Sequence, residues 1–235
     1  MTINISALNK SYKTQHVLNN VELDVYGGEI FSFVGINGAG KTTLIKCLLN
    51  FHNYQSGTIK LFGIESIETI ARENLAYLPE RFLPPYYLNG QQFLNYIFDL
   101  YKSKVDADAV KKMLVDLDLA EEILKKSVRA FSKGMAQKLG LAALLLLDKK
   151  LLILDEPMSG LDPKARALVK RQLKLAKENG KTIFFSSHML ADVEELSDRV
   201  GILHNGEIAF CGTPAECKKQ FDSPTLEDAF LKCIA

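Results

Sequence analysis

Gly35-Ile36-Asn37-Gly38-Ala39-Gly40-Lys41-Thr42 reads G-x-x-x-x-G-K-[ST] without a gap, and what flanks it decides the fold. Ile30-Phe31-Ser32-Phe33-Val34 ahead of it is an apolar run of strand type, and Thr43-Leu44-Ile45-Lys46-Cys47-Leu48-Leu49 behind it reads as a helix. Strand, glycine loop and helix in that order make a phosphate cradle. Glycines let backbone N–H groups converge on an anion, and the helix start adds about half a positive charge. Lys41 can then reach the β- and γ-phosphates, and the Thr42 hydroxyl is placed to ligate Mg²⁺. A glycine-rich turn that binds nothing is the plain alternative, and the flanking strand and helix weigh against it.

Outward from the loop, apolar and polar positions alternate through Ile3, Ile5, Ala7, Val17-Leu18, Val21, Leu23 and Val25. These predict strands of an N-terminal antiparallel element joined at Gly27-Gly28. Thr58–Gly63 and Leu75–Leu78 read as further short strands. From Gly90 to about Arg129 the period becomes helical, with Phe93, Tyr96, Ile97, Leu100 and then Val110, Met113, Leu114, Leu117 on repeating faces. After Met135 a helix runs to Leu147, followed by the apolar strand Leu151–Leu154, a helix over 164–179 ending at Gly180, and a buried strand over 182–186. Asn205-Gly206 marks a hairpin between 200–203 and 207–210. The alternation predicts an α/β fold: a P-loop nucleoside-triphosphatase core with a mainly parallel sheet, the antiparallel β element, and a helical insertion. The whole of 1–235 reads as one domain, with 1–89 and 131–235 as its core and 90–130 as the insertion.

The chain has 235 residues, 47% apolar and 24% charged, with a net charge of +1. That size supports a buried core without disulfides or structural metal. The charge gives no electrostatic reason for a nucleic-acid partner. Four cysteines (Cys47, Cys211, Cys217, Cys233) show no metal spacing, and Cys47 is expected in the core. The N-terminus lacks signal-peptide character, and the longest apolar stretch, Leu141–Leu147, is far short of the roughly 20 residues that span a bilayer. Any membrane role is therefore expected from outside the lipid.

Leu151-Leu152-Ile153-Leu154-Asp155-Glu156 puts two carboxylates at the C-terminal end of a buried strand, where open α/β sheets bind ligands. Asp155 is suited to share Mg²⁺ with Thr42 and phosphate oxygens, and Glu156, pointing elsewhere, is free to polarise the attacking water. Ser187-His188 ends the 182–186 strand. A histidine there is more often structural, yet in the same sheet His188 could donate to the γ-phosphate. Phe131-Ser132-Lys133-Gly134-Met135 opens the next helix. Its start is either an anion site or a simple serine cap, and taken alone the cap reading is the better one.

In their order along the chain, these segments resemble the nucleotide-binding subunit of an ATP-binding-cassette (ABC) transporter, over essentially the whole length. The resemblance implies the ABC ATPase fold and identifies residues 35–43, through Thr43, as the Walker A loop and 151–156 as Walker B. It makes Glu156, His188 and Lys41 catalytic, and Thr42, Asp155 and Glu80 the Mg²⁺-side residues. Tyr12 stands where an aromatic stacks on adenine. Ser132, Lys133, Gly134 and Met135 occupy the signature, acting on a partner's ATP, with Phe131, Lys133 and Met135 departing from L-S-G-G-Q. Ser159, Gly160, Leu161 and Asp162 form the D-loop, preceded by Met158 where Thr is usual. Glu80 replaces the Q-loop glutamine.

The resemblance further implies ATP hydrolysis with Mg²⁺ and head-to-tail pairing with a second nucleotide-binding subunit. It also implies an integral-membrane permease contacted from the cytoplasmic face through the helical insertion and 81–87. Pro79-Glu80 and the capped C-terminal segment from Pro224 resemble the exporter branch. The alternative is a soluble mechanical ABC ATPase acting on nucleic acid or ribosomes. Only about 90 residues separate Lys41 from Ser132, with no sustained heptads, so the long coiled coil of the DNA-acting kind is missing. A GTPase is disfavoured because no N-K-x-D follows the loop.

Overall fold

In the computed structural model, which describes residues 1–235, the apolar run before the glycine loop is β3 (Ile30–Val34), buried along its whole length. It lies inside a six-stranded sheet between β8 (Thr182–Ser187) and β9 (Arg199–His204). Beyond β8 come β7 (Leu151–Leu154) and β6 (Leu75–Leu78), all parallel to β3. β10 (Glu207–Gly212) closes the opposite edge antiparallel to β9. Asn205 and Gly206 make that hairpin turn at φ 48° and 82°, the positive angles a two-residue turn demands.

Both faces of this sheet are covered, which explains strands without an exposed polar side. Phe31, Phe33, Ile153 and Phe184 point to one face; Ile30, Val34, Leu152, Leu154, Ile183 and Phe185 point to the other. Against the first face pack α1 (Lys41–Leu48) and a four-stranded antiparallel sheet in the order β2-β1-β4-β5. Its strands are β1 (Ile3–Tyr12), β2 (Gln15–Val25), β4 (Ser56–Leu61) and β5 (Ile64–Glu65). Gly27-Gly28 does not join antiparallel strands, as expected from the sequence; it carries the chain from β2 into β3 of the other sheet. The β1–β2 turn is Lys13-Thr14, with Lys13 at φ 53°.

The second face is covered by α4 (Lys133–Leu146), α5 (Pro163–Glu178) and the helical insertion. The insertion consists of α2 (Gly90–Leu100), α3 (Ala107–Asp116) and two 3₁₀ turns, Glu121–Leu124 and Val128–Ala130. Asn89 and Gln92 cap α2 reciprocally: Gln92 N–H donates to Asn89 Oδ1 at 2.8 Å and Asn89 N–H to Gln92 Oε1 at 3.0 Å. α4 begins two residues earlier than Met135, because Ser132 is its N-cap. Midway along α4, Gly140 receives the Phe82 ring, and a Cβ there would stand 2.7 Å from a ring carbon. Phe82 also packs edge-on against Phe93 of α2, centroids 5.5 Å apart.

α6 (Leu190–Leu196), α7 (Pro214–Gln220) and α8 (Leu226–Cys233) complete the chain, with Thr225 capping α8 as the sequence predicts. No helix is long and apolar enough to cross a membrane. Cys47 is buried, and burial pushes its thiol up to about 11.

Phe184 stacks on Phe31 and tilts against Phe33, each with centroids 5.8 Å apart. Phe184→Ala should therefore cost about 3–5 kcal/mol of stability, read as a shift in the denaturant midpoint at unchanged slope.

Candidate functional site

The parallel register sets where polar residues leave the sheet. Val34 is level with Ser187, and Leu154 with both Phe185 and Leu78. The residues after these strand ends therefore emerge at one edge, the edge at which open α/β sheets take ligands. Lys41, Thr42, Glu80, Asp155, Glu156 and His188 meet there in a pocket of about 300 Å³, together with Asn37, Gly38, Gly40 and Thr43; no lining residue is apolar.

The glycine loop is built as its pattern demands. Gly40 is the N-cap of α1 at φ 110°, where a side chain would be strained and where a Cβ would also stand 2.9 Å from Val17 O. No side chain caps α1, so its first N–H groups point at whatever fills the loop. Lys41 folds back along the loop, its Nζ donating to Gly35 O at 2.7 Å and Ile36 O at 3.3 Å. Burial lowers the pKa of that ammonium, while Glu156, Asp155 and Glu80 oppose the shift. Burial leaves that ammonium short of solvation, and a phosphate placed against it would supply further compensating negative charge.

Asp155 is 1% exposed. Its Oδ1 accepts from Ser186 Oγ at 2.5 Å and its Oδ2 from Thr42 Oγ1 at 3.2 Å. Burial nevertheless raises its pKa, against both hydrogen bonds. A dehydrated carboxylate beside a threonine hydroxyl is an oxygen-only donor pair, which fits a hard cation such as Mg²⁺.

Glu156 sits at φ 49°, an uncommon angle for a residue with a side chain and one that concentrates at functional sites. Its N–H donates to Ser186 Oγ at 2.9 Å, and its Oε2 accepts from His188 Nδ1 at 2.8 Å. The expectation that Glu156 stands free is corrected to this extent: one carboxylate oxygen is engaged by His188. That bond orients both side chains, and His188 is half-exposed at the pocket mouth.

Ser186 was not singled out in the sequence, yet it bonds Asp155 and Glu156 together. Gln137, also missed, is buried in α4 and donates to Pro157 O at 3.0 Å, tying that helix to the loop after Glu156. Met158 is 5% exposed and belongs to the main core cluster, so an apolar residue suits its place.

Two groups of expected residues lie outside the pocket. Tyr12 does not line it, nor the adjoining groove of about 410 Å³ between His16, Val17, Ile36, Ala39 and Asn205. Its ring is held edge-on to His52 at 5.9 Å with Lys10 Nζ 4.6 Å over its face, and Lys10 is itself anchored on Asn53 O. The start of α4 is the second group. Ser132 Oγ accepts from Met135 N–H at 3.1 Å, a simple cap within this chain. Lys133 packs over Gly160, and Gly134 lies beside Leu161. Ser159 N–H donates to Glu156 O, while Asp162 caps α5 by accepting from Ala165 N–H at 2.8 Å. The Ser132–Met135 segment thus adjoins the 159–162 turn and contributes nothing to its own chain's phosphate pocket.

Glycine loop, strand-end carboxylates and parallel sheet define a P-loop nucleoside-triphosphate-binding protein. A family model described as ABC transporter matches residues 18–159. An uncharacterised ABC transporter ATP-binding protein of Synechocystis is 38% identical over 220 residues, covering 89% of this chain and 62% of that protein. A lantibiotic transport ATP-binding protein of Streptococcus pyogenes is 34% identical over 97% of this chain and 95% of its own. A solved structure described as the ATP-binding subunit of an ABC transporter superposes with a TM-score of 0.89 at 29% identity, over 99% of both chains. The chain spans just under two thirds of the length of the first curated relatives it matches, 62% and 65%. The chain belongs to the ABC transporter family.

Because burial raises the Asp155 acid, the folded state holds that proton more tightly than the unfolded chain. Its contribution to stability is present below the unfolded carboxyl value and is lost as pH rises through the folded one. Asp155→Asn should therefore raise the melting temperature of nucleotide-free protein at about pH 7.5, with the gain shrinking towards about pH 4. Paired thermal melts at the two pH values check the sign.

Proposed function

We propose that this chain binds ATP with Mg²⁺ and hydrolyses it as one of two nucleotide-binding subunits packed head to tail, powering a membrane transporter through a separate permease. The observation that carries this reading is the wholly polar pocket in which Lys41, Thr42, Glu80, Asp155, Glu156 and His188 converge. In it Lys41 and the α1 N–H groups bind the β- and γ-phosphates. Thr42 and Asp155, with Glu80 in the same pocket, would hold Mg²⁺, which when bound would supply charge neutralisation at the phosphates. Glu156 polarises the attacking water, and His188 orients Glu156 and donates towards the γ-phosphate. The base occupies the adjoining groove beside Val17 and Ile36, which Tyr12 does not line.

The pocket is half of a site. Residues 132–135 lie away from it, so a second subunit must bring its own Ser132 and Gly134 to the γ-phosphate. Residues 159–162, against that segment, then link one subunit's signature to the turn beyond its Glu156. Hydrolysis removes the shared phosphate contacts and loosens the pair. Residues 1–235 act as one ATPase domain at the cytoplasmic membrane face, with 90–130 as an arm and with no nucleic-acid partner. Relatives named for lantibiotic transport in Streptococcus pyogenes and bacitracin transport in Enterococcus faecalis support the transporter role, and export is the direction we propose.

Permease contact falls to 81–87. Leu83, Tyr86 and Tyr87 are 88%, 71% and 73% exposed, an unusual grouping of apolar side chains in water. The loop begins next to Glu80, so a partner seated on it acts directly on the pocket.

Glu156→Gln should retain ATP yet lower hydrolysis by about 10²-fold or more. Size-exclusion chromatography with ATP should then show a stable dimer; turnover at the parental rate would remove Glu156 from the mechanism. Replacing Tyr86 and Tyr87 together by alanine should abolish transport in cells while ATP affinity stays unchanged; transport equal to the parent would reject the contact.

A further inference from the structure

We propose that Phe230 and Glu194 are positioning residues for His188, acting through α6 and the C-terminal helix α8; this deepens the ATPase reading above and rests on it. α6 starts two residues after His188, spans only Leu190–Leu196, and has no side-chain cap. Its place is therefore set by what grips it from outside. On one flank Asp192, 3% exposed, pairs with Arg166 Nε at 3.4 Å and Lys170 Nζ at 3.2 Å, both on α5. On the other, Glu194 Oε1 accepts from Lys218 Nζ of α7 at 2.5 Å, and its Oε2 accepts from Leu226 N–H at 3.0 Å.

Leu226 is the first residue of α8, so the Glu194 carboxylate fixes that helix by its start, where negative charge is also favoured by the dipole. Lys218 and the Leu226 N–H hold the Glu194 acid below its ordinary value, so it stays charged at neutral pH. One turn further on, on the same face as Leu226, stands Phe230. Its ring lines a cavity of about 190 Å³ shared with Gly35, Ile36, His188 and Leu190. The ring thus borders the space between the start of the glycine loop and the His188–Leu190 segment. Neither Phe230 nor Glu194 lines the phosphate pocket. The path runs from Glu194 to the start of α8, along α8 to Phe230, and across the cavity that Phe230 and His188 both line to the His188–Glu156 bond at 2.8 Å.

Such an arrangement predicts an effect on turnover without one on nucleotide binding. Phe230→Ala in the full chain, assayed beside the parent with Mg²⁺ and ATP, should lower kcat about tenfold or more. KM and the dissociation constant of a fluorescent ATP analogue should not change, and Phe230→Leu, which refills the cavity, should restore most of kcat. Glu194→Gln, which keeps the shape and removes the charge, carries the same kcat-only expectation should Phe230→Ala not fold. A parent with no ATPase activity refutes the function proposed above. An active parent whose variants turn over at the parental kcat, or lose kcat and ATP affinity together without rescue by leucine, overturns the positioning role.

Discussion

The parallel pairing of β3, β8 and β7 is the constraint from which the pocket follows. Strand ends in register deliver Gly35, His188 and Asp155 to one edge of the sheet, and β6 adds Glu80 beside them. The pairing also brings the Ser186 hydroxyl beside the last carboxylates of the neighbouring strand end, where it donates to Asp155 and accepts from the Glu156 backbone. A single buried hydroxyl thereby holds the Asp155 carboxylate and supports the Glu156 backbone at its positive φ. Were β7 to slip by one residue against β8, each side chain would change face and both bonds would be lost.

Buried charge is concentrated at this edge at some cost to the fold. Lys41 and Asp155 are both nearly sealed from solvent, and for both burial is the largest influence on protonation. Uncompensated buried charges destabilise by several kcal/mol unless paired or hydrogen-bonded. Thr42, Ser186 and the loop carbonyls pair these charges only in part. The surrounding core, with the aromatic stack of Phe31, Phe33 and Phe184 on one face of the sheet, carries that cost.

The glycine loop, its strand and its helix were legible because their residue types carry backbone requirements that tertiary context does not change. Gly40 at φ 110° and the Asn205-Gly206 hairpin belong to the same kind. Gly27-Gly28 misled because a glycine pair announces a turn without saying which sheet receives the next strand. The setting of Tyr12 was not legible, because its ring is placed by Lys10 and His52 and no local pattern encodes that choice. Ser186 passed unnoticed because a serine inside an apolar strand looks like a minor blemish until the neighbouring strand is known. Ser132 could be read as a cap or an anion site; within one chain it is a cap, and only a second subunit would give it the other role.

Gly140 and Phe82 have a mechanical consequence. The ring occupies the only space that a side chain on α4 would need, two residues beyond Glu80 in sequence, and it presses against α2 as well. The ring is therefore seated in a bare patch of helix and wedged between two helices at once. One aromatic side chain and one missing methyl group fasten the segment just after Glu80 both to the arm and to the helix that Ser132 caps.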